Sequence, residues 1–302
     1  MTHDARAKAQ AGLACGIAAY GLWGLLPIYF KWLQAVPPVA IVAHRIIWSM
    51  AALAVLIVAM RGLDSVRAAM RHRGTVKLLL ATALLIATNW LIYVYAVNSG
   101  RILAGSLGYY LNPLANILLG YFVLKEPLAR MQWVAVGIAA AGVAVLAAGA
   151  LSQLWISLTL CISFALYGLL RKIAHVDATA GLTIETAVLL PVAAGWLMLT
   201  SGGSAPVWGT NTTELLLLIG TGIVSTLPLL LFTAAARRLR YSTLGILQFI
   251  APTLQFLVAV FLYGEPFTTA HAIAFAAIWT AAVLYLISSW RSARSHSEML
   301  PE

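Results

Sequence analysis

Three ionisable side chains stand where the surrounding sequence is almost entirely apolar: His44 and Arg45 in "PPVAIVAHRIIWSM" (37–50), and Glu185 in "TIETAVLLP" (183–191). At membrane depth such a group marks a functional site by default. Arg45 offers a permanently charged fork of donors that matches a carboxylate, and Glu185 can bind and release a proton. Alternatively both are structural or gating charges held by neighbours. The partners open to Arg45 are Glu214 and Glu265; those open to Glu185 are Arg171, Lys172 and Arg237. His44 is either a packed neutral imidazole or a proton relay beside Arg45.

A second set of residues suits solute binding. Helical spacing puts Tyr109, Asn112 and Asn116 on one stripe and Gln248 and Gln255 on another, and an offset of 139 carries Tyr109 onto Gln248 and Asn116 onto Gln255. Amides facing lipid are costly, so both stripes are expected to face the interior, lining a cavity or bonding neighbouring helices. Asn89, Trp90 and Tyr93 add to them, as do Tyr20, Trp23, Gly24 and Pro27 on one face and Phe164, Tyr167 and Gly168 on another. Aromatic walls with a few amides suit a flat, aromatic or amphipathic solute. The competing reading is that Trp23 and Tyr167 simply pack against glycines.

The elements that must position these residues follow from composition. Of 302 residues 62% are hydrophobic and 9% charged, against roughly 45–50% and 25% in soluble domains. A membrane helix needs about 20 apolar residues to cross a hydrocarbon core of about 30 Å. Ten stretches qualify: 11–33, 38–60, 76–98, 102–124, 129–149, 153–172, 180–200, 213–236, 242–263 and 268–290. The longest connections are the basic 61–75 and the polar 201–213. Pro27, Pro113, Pro191, Pro228 and Pro252 lie inside spans and are candidate bends. Spans five and ten are rich in small residues (136–150, 272–283) and read as scaffold, packed on each other or on a second subunit. The "LACG" at 13–16 lacks the apolar region a lipobox requires, "NTT" at 211–213 is a weak sequon, and Cys15 and Cys161 read as packed thiols.

The net charge of +10 raises the question of nucleic acid, and the distribution of charge answers it. With loops numbered alternately, all but three of the 19 lysines and arginines fall on one side; the exceptions are Lys31, Arg45 and Arg101. Cytoplasmic loops carry such an excess, so both termini are expected in the cytoplasm, with the lipid bilayer as partner and no nucleic acid.

The chain is also written twice. "PLANILLGYFVLKEP" (113–127) and "PTLQFLVAVFLYGEP" (252–266) align without a gap at the offset of 139, with Glu126 on Glu265 and Pro127 on Pro266. Arg101 and Arg240 share that offset, and "LWGLL" (22–26) matches "LYGLL" (166–170) at 144. Five spans per repeat is odd, so the halves must enter the membrane from opposite sides. The expected fold is an all-α polytopic membrane protein: a cytoplasmic tail (1–10), repeat one (11–150), an inverted repeat two (151–290) and a second cytoplasmic tail (291–302). Spans two and seven then correspond, and Arg45 and Glu185 mirror each other, each about 10 Å inside opposite entrances at 1.5 Å per residue. Inverted repeats suit alternating access around a midplane site.

The paired "EP" motifs, the five-plus-five layout, and "AHRIIWS", "NWLIYVYAVNSGRILAGSLGYYLNPL" and "TIETAVLLP" resemble the EamA family of the drug/metabolite transporter superfamily, and its RarD-type members in particular. The likeness covers almost the whole chain. It implies a bacterial inner-membrane permease for small organic solutes in a family linked by name to chloramphenicol sensitivity. A channel-like facilitative carrier is the alternative, followed by an intramembrane enzyme or a sensor. No HExxH, GxSxG, P-loop or dinucleotide fingerprint is present, so neither catalysis, cofactor nor metal is expected.

Overall fold

The computed structural model describes residues 3–123, 125, 128–149, 151–174, 176–236, 238–239 and 247–298. Among them every regular element is helical: α1 (His3–Lys31), α2 (Pro38–Ala59), α3 (Leu63–Arg71), α4 (Arg73–Asn98), α5 (Ile102–Phe122), α6 (Arg130–Gly149), α7 (Leu151–Ala174), α8 (Ala178–Thr200), α9 (Thr212–Ala236), α10 (Ile250–Leu257) running into a π-turn (Val258–Leu262), and α11 (Thr269–Glu298). Without water to satisfy its backbone, an apolar segment of this length closes its hydrogen bonds within itself. Seven helices are long and apolar enough to cross a membrane: α1, α2, α4, α5, α7, α8 and α9. The described apolar stretches of the others are shorter: Arg130–Leu146, Ile250–Leu262 and Thr269–Tyr285. Each of the ten expected spans overlaps one helix. The start of the ninth, together with Glu126, Pro127, Arg237 and Arg240, lies outside the described residues.

Two differences from expectation have local causes. The basic connection 61–75 holds a helix, α3, because Val66, Ala69 and Met70 alternate with Asp64, Arg67 and Arg71 at helical spacing. Pro252 falls in the first turn of α10, where a missing N–H costs little; Pro27, Pro113, Pro191 and Pro228 do lie inside helices.

Caps fix the helix ends. The Asp177 carboxylate accepts from the N–H groups of Thr179 and Ala180 at 3.0 and 3.3 Å and starts α8. Asn211 accepts from the Glu214 N–H at 2.9 Å, and the Glu214 carboxylate accepts from the Thr210 N–H at 2.7 Å, so the "NTT" stretch works as a reciprocal helix cap. Glu265, of the second "EP" motif, caps a helix of the other half: its carboxylate accepts from the N–H groups of Ile102 and Leu103 at 2.7 and 2.8 Å, at the start of α5.

Packing pairs α6 with α11, α5 and α4 with α7, α2 with α8 and α9, and α1 with α9 and α10. The small-residue helices α6 and α11 therefore pack on each other; a β-carbon on Gly142 would lie 2.7 Å from that of Ala277. Closer still are α2 and α9, where a β-carbon on Gly222 would lie 2.5 Å from the Trp48 carbonyl. On the outside Val55, Leu84, Val192, Leu199, Ile223 and Phe261 are exposed, a distribution that suits lipid rather than water.

Candidate functional site

Arg45 lies on the inner face of α2 and is 5% exposed. Its guanidinium sits 4.3 Å from the centroid of the Trp90 ring and 5.8 Å from that of Phe30. Stacking on an aromatic face satisfies the flat side of the group and leaves its rim of N–H donors directed elsewhere. Among the described residues no hydrogen bond or ion pair reaches that rim. The expected partners are engaged elsewhere, Glu214 in the α9 cap and Glu265 in the α5 cap, so neither pairs with Arg45. Next to it His44 is buried; its Nε2 lies 2.9 Å from the Val207 carbonyl, and its ring meets that of Trp208 edge-on at 4.9 Å. That contact ties α2 to the 201–211 connection and favours the packed imidazole.

Glu185 is fully buried on α8. It accepts hydrogen bonds from the Thr82 hydroxyl at 2.6 Å and the Tyr167 hydroxyl at 3.2 Å, and Arg171 Nη1 stands 3.7 Å from it. Of the three cations open to Glu185 in the sequence, Arg171 stands beside it; the side chain of Lys172 and all of Arg237 lie outside the described residues.

Between these two charges runs an unbroken line of rings. Phe30 meets Tyr93 at 6.2 Å between centroids, Tyr93 meets Tyr109 at 5.6 Å, Tyr109 meets Phe164 at 6.0 Å, and Phe164 meets Tyr167 at 6.1 Å. Asn89 pins the middle of the line, accepting from the Tyr109 hydroxyl at 2.9 Å and donating to the Leu160 carbonyl and the Ser163 hydroxyl at 3.1 and 3.0 Å. Asn112 is buried with its Oδ1 unpartnered, the Tyr93 hydroxyl is unpartnered too, and Asn116 is exposed.

Trp23 and Gln255 belong to a separate cluster. Trp23 packs against Tyr20 and Phe232 at 5.4 and 5.8 Å, and Gln255 donates to the Trp23 carbonyl at 3.2 Å. Gln248 lies half-buried in the turn before α10. Offsets of 144 and 139 place Tyr20, Trp23 and Phe232 on Phe164, Tyr167 and Tyr93, so the two clusters occupy corresponding places in the halves.

Two contributors escape a reading of sequence alone. Phe30 continues the Trp23, Pro27 stripe by one more helical step. Thr82 carries a repeat signal: its hydroxyl donates to the Leu79 carbonyl, that of Thr221 donates to Leu218, and both residues repeat at 139. Among the described residues no three His, Cys, Asp or Glu side chains gather as a metal site, and both cysteines are free thiols.

The EamA-like transporter family model matches residues 10–148. A protein of Vibrio cholerae described as an uncharacterized transporter is 45% identical over 293 residues, covering 97% of each chain. The chain belongs to the EamA-like transporter family. Within it the chain sits among the RarD-type members of the drug/metabolite transporter superfamily. It is 43% identical to Protein RarD of Escherichia coli K12 over 98% of this chain and all of that one, and 34% identical to the chloramphenicol-sensitive protein RarD of Pseudomonas aeruginosa over 94% of this chain and 95% of that one. A solved crystal structure aligns at a TM-score of 0.58 with 21% identity, over 91% of this chain and 96% of that one, and speaks for the fold alone. EamA-like membership and these relatives make the chain a membrane transporter. The line of rings from Arg45 to Glu185, buried at Phe30 and Tyr93, half-buried at Tyr109 and Tyr167 and exposed at Phe164, is accordingly its candidate solute path.

Proposed function

We propose that the protein is a bacterial inner-membrane permease that moves a small organic solute by alternating access along the aromatic line between Arg45 and Glu185. The observation that carries this reading is that line itself: five rings in series, braced by Asn89, with a buried charge of opposite sign at each end. A scaffold built only for packing has no reason to leave polar groups beside apolar walls.

The architecture assigned to it is ten spans in two inverted repeats, 11–150 and 151–290, with short terminal tails and both termini in the cytoplasm. Helix pairing supports the repeat. Exchanging each span with its counterpart turns the α1–α9 contact into α4–α7 and α5–α7 into α1–α10, and leaves α2–α8, α5–α10 and α6–α11 as they are. Such an exchange is what alternating access requires of two halves.

Glu185 is assigned the role of a gate at the end opposite Arg45. It is held by Arg171, Thr82 and Tyr167, which is more bonding than a freely titrating carrier needs. Flux of labelled organic solutes into proteoliposomes tests the reading. The expected result is saturable flux that falls when Tyr109 is replaced by Ala; the absence of flux for any small organic compound removes the transport reading. Under an imposed pH gradient, Glu185→Gln is expected to leave any gradient dependence in place; its disappearance would make Glu185 the proton carrier instead.

A further inference from the structure

We propose that Arg45 is the anchor for a carboxylate, and that the solute is a monocarboxylate with a flat apolar or aromatic body. The inference rests on the transport reading above and names the substrate class for the same path. A buried charge persists only when something compensates it, since desolvation costs several kcal/mol per ion. Among the described residues the compensation is missing. Each carboxylate whose side chain is described has another partner: Asp64 bonds Arg67, Asp177 caps α8, Glu185 holds Arg171, and Glu214 and Glu265 cap α9 and α5. Glu126 lies outside the described residues. Arg45 is thus a buried cation held over Trp90, its Nε buried with no partner among the described residues.

The surroundings define the ligand. The guanidinium rim matches a carboxylate in two-pronged fashion. Phe30, Trp90, Tyr93 and Tyr109 supply the faces on which a ring stacks, and the unpartnered Tyr93 hydroxyl supplies one further polar contact. Among the described residues Arg45 is the one cation over these rings, which matches a single negative charge. No described carboxylate is free beside it to receive an ammonium, which sets an aromatic acid ahead of the corresponding amino acid.

Isothermal titration of the purified full chain with indole-3-acetate, phenylacetate and benzoate, each against its neutral amide, tests the proposal. At least one acid is expected to bind and its amide to bind at least tenfold more weakly. Arg45→Gln should weaken the acid at least tenfold and leave the amide unchanged; Arg45→Lys, which keeps the charge but not the fork, should fall between. In the absence of ligand, Arg45→Gln should melt at the same temperature as the parent or higher, because an uncompensated buried charge has been removed. A clear drop in that temperature makes Arg45 a structural residue and overturns the proposal. So does equal binding of acid and amide, or binding of none of the acids. Flux separates the two readings. An acid that binds through Arg45 and is not carried leaves the site and removes transport, whereas flux of neutral amides without flux of acids leaves transport and removes the site.

Discussion

Gly181 shows how one atom can control the charge opposite Arg45. A β-carbon there would lie 1.5 Å from Arg171 Nη1, the group that faces Glu185 at 3.7 Å. The end of a long side chain moves easily, so Gly181→Ala is expected to push the guanidinium away while leaving the Thr82 and Tyr167 bonds to Glu185 intact. Alanine is the better helix former by about 1 kcal/mol, but the buried Glu185 carboxylate loses its cation, so the melting temperature should fall. If the pair acts as a gate, flux falls several-fold, as it should in Arg171→Gln; unchanged flux in both variants removes the pair from the transport cycle. Sequence alone found Glu185 and named Arg171 among three candidates. It had no means of choosing, because the choice depends on how α7 and α8 face one another.

At the scale of elements, the residues just before the two "EP" motifs share a left-handed backbone with different side chains. Gly264 has φ of 62° and Lys125, its counterpart at the offset of 139, has φ of 58°. A left-handed backbone costs a residue with a β-carbon about 1–2 kcal/mol, and glycine almost nothing. Lys125→Gly is therefore expected to stabilise the protein by about 1 kcal/mol, read as a rise in melting temperature, with flux unchanged. A fall would mean that the lysine side chain contributes more than its backbone strain takes away. Sequence revealed the repeated "EP" but not its task. That Glu265 caps α5 emerges only when the end of one half is brought to the start of a helix in the other.

For the whole molecule, the symmetric exchange of helix pairs makes a prediction about orientation. The proposed ten spans would bring both termini to one side, and the excess of basic residues points to that side as the cytoplasm. A membrane-impermeant thiol reagent applied to intact cells should fail to label cysteines placed near residue 5 or residue 296 in a variant lacking Cys15 and Cys161, and should label both after permeabilisation. Labelling of one terminus in intact cells removes the even span count. Labelling of both reverses the topology.

The sequence by itself determined the class of the protein and showed its apolar stretches and repeated motifs, because length, hydropathy and repetition are properties of a linear string. It also located the buried charges, since an ionisable residue in an apolar run is conspicuous wherever the chain goes. Tertiary structure alone decided which groups meet. It left Arg45 over Trp90 without a carboxylate, gave Glu185 to Arg171, and sorted the expected cavity residues into the line through Asn89, Tyr93, Tyr109 and Tyr167 and the separate cluster of Trp23 and Gln255. Those pairings join residues far apart in the chain, and helix crossings set by glycines such as Gly222 and Gly142 bring them together. Periodicity along a single helix carries no information about that geometry.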